Sequence, residues 1–149
     1  MNSSSLPEGA VEIESGEGGR LVTQIRAGMH EFVGDEPVSL GGTGKGPNPY
    51  DLLLASLGSC TSITIRLYAE RKGWPLENVR VRLSHAKLYA RDCEECARKE
   101  GKVDRIERTI EIEGPLSDEQ RARLIEIAKK CPICRTLSTE ISIRTTLRD

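Results

Sequence analysis

NPYDLLLASLGSCTSITIRLYAERK, residues 48–72, is the strongest helix signal in the chain. Asn48 is a capping residue, Pro49 suits the first helical position, and Asp51 stands three residues after the cap, at the positive end of the helix dipole. Gly73 and Pro75 end the run, with Arg71 and Lys72 in its last turn. At about 1.5 Å per residue this helix is about 37 Å long, more than an ordinary domain helix needs. Leu52 to Leu57 are apolar on every side, which predicts enclosure by other elements. Ala55, Ser56, Gly58 and Ser59 are small and admit a second helix or a second subunit at close range. Cys60 falls near the middle, at helical spacing from Leu53, Ser56, Leu57, Ile63, Thr64 and Leu67. A lone buried cysteine is ordinarily a core filler, so its meaning depends on what surrounds this helix.

On the N-terminal side, residues 1–19 are rich in Ser, Glu and Gly and read as a flexible lead-in; the domain is expected over 20–149. Leu21 to Ile25 and His30 to Val33 read as short strands about the turn at Ala27-Gly28. Gly41-Gly42-Thr43-Gly44-Lys45-Gly46-Pro47 is glycine-rich, but its spacing is not that of a phosphate loop, and Pro47 and Pro49 separate it from the helix. On the C-terminal side, Val79, Val81 and Leu83 alternate with Arg80, Arg82 and Ser84, a half-buried strand that extends toward Ala90. Val103 to Glu113 reads as its hairpin partner, with Asp92 to Gly101 at the tip. Ser117 and Gln120 make a capping box for a second helix, on which Leu124, Ile127, Ala128 and Cys131 share one stripe. Pro132 interrupts that helix and can start a new turn. Ile141, Ile143, Thr145 and Leu147 alternate with polar residues as a closing strand. Strands separated by two apolar helices define an α+β domain, one whose cover a second subunit would complete.

At 149 residues one domain is expected. A net charge of −1 with interleaved signs gives no electrostatic footprint for nucleic acid or an anionic membrane. No signal-peptide pattern opens the sequence and no uninterrupted apolar run reaches bilayer length, so a soluble cytoplasmic protein is the expectation. In that setting five cysteines suggest redox, catalytic or metal chemistry rather than a disulfide framework. If the two helices pack side by side, Cys60 and Cys131 could face each other, an arrangement suited to sulfenic acid formation and condensation to a disulfide. Two core thiols sharing a face would read the same way.

GPNPYDLLLASLGSCTSITI, followed about seventy residues later by AKKCPICRTLSTEISI, resembles the OsmC/Ohr family of thiol-dependent hydroperoxide peroxidases. The likeness extends from Gly41 to the C-terminus. It implies an OsmC-like fold with two central helices against antiparallel sheets, and an intertwined homodimer. It implies a peroxidatic Cys60, a resolving Cys131, organic hydroperoxides as substrates, a role in oxidative or osmotic stress defence, and a dithiol or lipoylated protein as reductant, with no cofactor. The family's arginine comes from the N-terminal part, where Arg20 and Arg26 are the candidates. Ten residues before the first cysteine, where the family has a glutamate, stands Tyr50, and the nearest acid is Asp51.

Cys93-x-x-Cys96 and Cys131-x-x-Cys134 also have the composition of a four-thiolate zinc site, which would make the chain a non-catalytic metal- or small-ligand-binding protein. Its cost is that Cys131 cannot be both a zinc ligand and a resolving thiol. A local Cys93–Cys96 redox pair is the third possibility, although the acidic DCEEC context raises thiol pKa.

Overall fold

The computed structural model describes residues 5–148. The chain divides into two compact units, Met1–Leu53 and Leu54–Asp149. In the first, β1 (Val11–Ser15), β2 (Thr23–Ala27) and β3 (His30–Gly34) form an antiparallel meander with Ile25 opposite both Ile13 and Phe32. β1 lies within the expected flexible lead-in: all five of its residues are exposed, and its order comes from pairing with β2, which a local reading does not see. Residues 1–4 of that lead-in lie outside the described residues.

The glycine-rich loop binds a group of its own. The buried Asp35 carboxylate accepts the amides of Glu36 (2.8 Å), Thr43 (3.1 Å) and Lys45 (3.1 Å) and the Thr43 hydroxyl (2.5 Å). Amides that might have cradled a phosphate are thus taken by an internal anion. The Thr43 hydroxyl leads in holding the Asp35 carboxyl down at about 2, with the three amides adding to it against the opposing effect of burial. A carboxyl held below its unfolded value contributes stability above that value and loses it as pH falls through the folded one. Asp35→Asn is therefore expected to cost stability near neutral pH, and the gap to the native chain should narrow between about pH 4 and pH 2. Urea midpoints of both proteins along that pH range measure it.

α1 (Pro49–Lys72) opens on a reciprocal cap: the Asp51 amide donates to Asn48 Oδ1 at 2.8 Å and the Asn48 amide to Asp51 Oδ2 at 3.0 Å. The unit boundary falls within this helix. By length and mean hydropathy α1 would suffice to cross a bilayer, yet Ile65, Tyr68 and Ala69 on it are buried in a core with Leu124, Ile127 and Ala128. Those last three lie on α2 (Asp118–Ala128), which starts on the Ser117–Gln120 capping box. β4 (Asn78–Tyr89) and β5 (Lys102–Glu113) form a long antiparallel hairpin, Leu83 opposite Arg108 and Val81 opposite Ile110. Val79, Ile110 and Ile112 on one face of it pack on the same core, with Trp74, Leu76 and Leu116 around the edge. Gly58 sits where a Cβ would come within 2.8 Å of Leu83 Cδ1, so a mid-helix glycine brings helix and hairpin together.

Two expectations are not met in this chain. Of Leu52 to Leu57 only Leu57 is buried. Residues 140–148 form no strand and are exposed, Ile143 at 84% and Leu147 at 93%. Alternation gives a segment one apolar face, but a strand also needs a neighbour for its backbone groups.

Candidate thiol site

α2 stops at Ala128, and three residues later Cys131 caps α3 (Pro132–Leu137). The pyrrolidine ring of Pro132 disfavours helical geometry at the residue before it, and Cys131 is extended, with φ −63° and ψ 145°. The chain break turns the Cys131 sulfur inward, where it is fully buried and accepts the Cys134 amide at 3.4 Å. Thr61, which follows Cys60 on α1, brings its hydroxyl to 3.9 Å from the same sulfur, and the half-buried Cys60 thiol is among the groups that lower the Cys131 pKa. Two thiols seventy-one positions apart are thus adjacent because the stripe on α1 that carries Cys60 faces the end of α2.

The charge at this site comes from Arg108. On β5 the residues Ile106, Arg108, Ile110 and Ile112 share a face, so one guanidinium stands in an apolar rank. Its Nη1 donates to Thr61 Oγ1 (2.9 Å), to the Ala128 carbonyl (3.4 Å) and to Cys131 Sγ (3.9 Å), while Nη2 donates to Cys134 Sγ (3.8 Å). The buried Thr61 hydroxyl lies 2.7 Å from the Leu57 carbonyl and 3.9 Å from Cys131 Sγ. Its single proton goes to the nearer carbonyl and can swing to the sulfur when a thiolate forms. Burial pushes the Cys131 thiol up, but the Cys134 amide, the Thr61 hydroxyl, the Cys60 thiol and the Arg108 charge together outweigh it and leave the thiol below its ordinary value. The sequence carried a signal for Arg108: a charge replacing the expected apolar residue between Ile106 and Ile110 of an alternating strand.

Beside the thiols opens a cavity of about 400 Å³ lined by Leu57, Ile106 and Leu137 on its apolar side and by Asp104, Arg108, Cys134 and Ser138 on its polar side. Asp104 is held below its ordinary pKa chiefly by His85, whose Nε2 lies 2.7 Å away, and by Lys87.

The other expected site residues have partners within their own unit. Arg20 donates to the Gly41 carbonyl at 3.5 Å, Arg26 pairs with Glu12, and Asp51 belongs to the cap of α1. The four-cysteine zinc arrangement is not assembled: Cys93 and Cys96 are joined to each other in a disulfide, and among the described residues no group of three or more His, Cys, Asp or Glu is placed to hold a metal ion. Nor is the surrounding of Cys93 purely acidic, because Arg105 from β5 donates to its sulfur at 3.4 Å and Lys99 to its carbonyl at 2.6 Å.

Comparison with known proteins gives one family. A family model described as OsmC-like protein matches residues 42–146. Among solved structures, an OsmC-like protein from Mycoplasma pneumoniae superposes with a TM-score of 0.68 at 20% identity, over 93% of this chain and 89% of that one. An organic hydroperoxide resistance protein OsmC from Legionella pneumophila gives 0.61 at 21% identity, over 86% and 87% of the two chains. The organic hydroperoxide resistance protein OhrB of Bacillus subtilis gives 0.58 at 18% identity, over 85% and 87%. No curated protein sequence matches the chain.

Proposed function

The chain belongs to the OsmC-like protein family, and from that premise we propose that it is a thiol peroxidase that reduces organic hydroperoxides in stress defence. The observation that carries this reading is the buried Cys131 sulfur, its thiol held below the ordinary value, 3.9 Å from both the Arg108 guanidinium and the hydroxyl of Thr61, the residue that follows Cys60. Cys60 is the more exposed of the two and is the sulfur that meets the peroxide. Its thiolate attacks the distal oxygen, the O–O bond breaks, and the alkoxide leaves as an alcohol, giving a sulfenic acid. The Cys131 thiolate then attacks that sulfur, a disulfide forms, and the hydroxyl departs as water. An external dithiol or a lipoylated protein returns both thiols. The cavity walls of Leu57, Ile106 and Leu137 favour an apolar substrate tail over hydrogen peroxide.

Arg108 supplies the cation at Cys131. Of the first-unit residues, Arg26 is committed to Glu12, Arg20 donates to the Gly41 carbonyl, and Asp51 acts through the helix cap. The proposed assembly is a homodimer. Ile63 and Leu67 on α1 are 56% and 61% exposed and Ile141, Ile143 and Leu147 are exposed in the tail, so a second copy has an apolar helix face and an apolar tail to cover. Sedimentation of the native chain should give twice the mass of 16.4 kDa.

Stopped-flow mixing of reduced protein with cumene hydroperoxide or hydrogen peroxide tests the activity. Oxidation should be faster with the organic substrate and absent in Cys60→Ser. Slow oxidation that ignores Cys60 would end the peroxidase reading.

A further inference from the structure

Cys134 has no part in a two-thiol cycle, yet it is built into the site. Its amide donates to Cys131 Sγ at 3.4 Å, its own sulfur takes an N–H from Arg108 at 3.8 Å, and it lines the cavity that Cys131 does not reach. The same guanidinium therefore spans both sulfurs of the Cys131-Pro132-Ile133-Cys134 turn.

We propose that Cys134 is a third redox thiol, which takes Cys131 from its disulfide with Cys60 and presents a Cys131–Cys134 disulfide to the external reductant. The proposal rests on the peroxidase reading for the origin of the first disulfide. In the exchange the Cys134 thiolate attacks Cys131 Sγ, the Cys131–Cys134 bond forms, the Cys60–Cys131 bond breaks, and Cys60 leaves as a thiolate that takes up the proton Cys134 gave. No oxidant or reductant is consumed. Proximity selects Cys131 as the sulfur attacked, because Cys134 is its neighbour across one turn.

The consequence is access. Cys131 is fully buried, so its disulfide with Cys60 is open to a bulky dithiol only at the half-buried Cys60 sulfur, which does not line the cavity. Cys134 is half-buried and faces the cavity. When a dithiol attacks Cys134, the leaving group is Cys131, the thiolate that the Cys134 amide, Thr61 and Arg108 stabilise, and a stabilised thiolate leaves faster. Cys60 is meanwhile regenerated and ready for a second peroxide.

The test oxidises the reduced full-length chain with one equivalent of cumene hydroperoxide and, in parallel, with diamide, which acts on dithiols without needing a peroxidatic cysteine. Free thiols are then alkylated and disulfides mapped by mass spectrometry, with Cys134→Ser as control. The expected product is Cys131–Cys134 with Cys60 alkylated. Cys134→Ser should stop at Cys60–Cys131 and be reduced by dihydrolipoamide at least about tenfold more slowly. A native end product of Cys60–Cys131 with Cys134 alkylated, under either oxidant, overturns the proposal. If peroxide leaves every thiol reduced while diamide gives Cys131–Cys134, the peroxidase reading falls and the assignment of Cys134 as redox partner of Cys131 stands.

Discussion

Arg108→Met is expected to raise the pKa of the Cys131 thiol and to slow formation of the Cys60–Cys131 disulfide by about 10- to 100-fold, the worth of one hydrogen bond to a charged group. Among the described residues Arg108 is the one cation that donates to Cys131, and it also fixes Thr61, the second donor to that sulfur. The sign follows from linkage: a thiol held low by a cation returns toward its ordinary value when the cation goes, so less thiolate is present near neutral pH. Loss of fold does not explain such a result. The Ala128 carbonyl keeps the Cys131 amide at 3.3 Å, and the Thr61 hydroxyl keeps the Leu57 carbonyl, so removing the guanidinium strands no buried polar group among these. Methionine in the rank of Ile106, Ile110 and Ile112 also ends the cost of holding a charge there, so the melting temperature of the reduced protein should not fall. The measurement is the pH profile of disulfide formation after a peroxide pulse, in a Cys134→Ser background. A shift to higher pH with unchanged stability identifies an electrostatic role, partial rescue by Arg108→Lys separates charge from fork geometry, and a profile that does not move removes Arg108 from the chemistry.

Much of this arrangement was legible in the chain. Asn48, Pro49 and Asp51 announce α1 because capping is a local transaction between a side chain and backbone within three residues. Ser117 and Gln120 announce α2 for the same reason, and alternation in Val79–Leu83 and Val103–Glu113 carries the hairpin. The stripes of Cys60 and Cys131 left a redox pair and two core fillers both open, and only the likeness to OsmC/Ohr proteins joined them. What failed depended on partners distant in sequence. β1 is ordered by β2, the tail at Ile141–Leu147 has apolar alternation but forms no strand among the described residues, and the zinc alternative, which needed Cys93 and Cys96 to meet Cys131 and Cys134, gives way to the local Cys93–Cys96 pairing that the sequence also offered. Arg108 was missed for a different reason: a charge among isoleucines reads as a solvated strand residue until the face it occupies is known to meet two thiols.

The largest stability effect is expected at Leu124. Its side chain is fully buried among Ile65, Tyr68 and Ala69 of α1 and Ile127 and Ala128 of α2. Leu124→Ala removes a large apolar side chain from the middle of that cluster and should cost about 2–5 kcal/mol, the transfer term plus the cavity left behind. Leu124→Met keeps the volume and should cost less than about 1.5 kcal/mol. With few aromatic residues in the chain, Tyr68 and Trp74 being the pair at this core, no larger side chain stands ready to refill the space. Ile65→Ala opens the same cluster from α1, so the double variant should fall short of the sum of the two losses, by about 0.5–3 kcal/mol of coupling. The site supplies a second readout. Cys131 hangs from the end of α2 by three residues, and a loosened α2 should slow disulfide formation in Leu124→Ala at temperatures where the chain is still folded. Urea midpoints measure the first effect and the rate after a peroxide pulse the second. An additive double variant would mean that α1 and α2 do not share one core, and the adjacency of Cys60 and Cys131 would lose its structural basis.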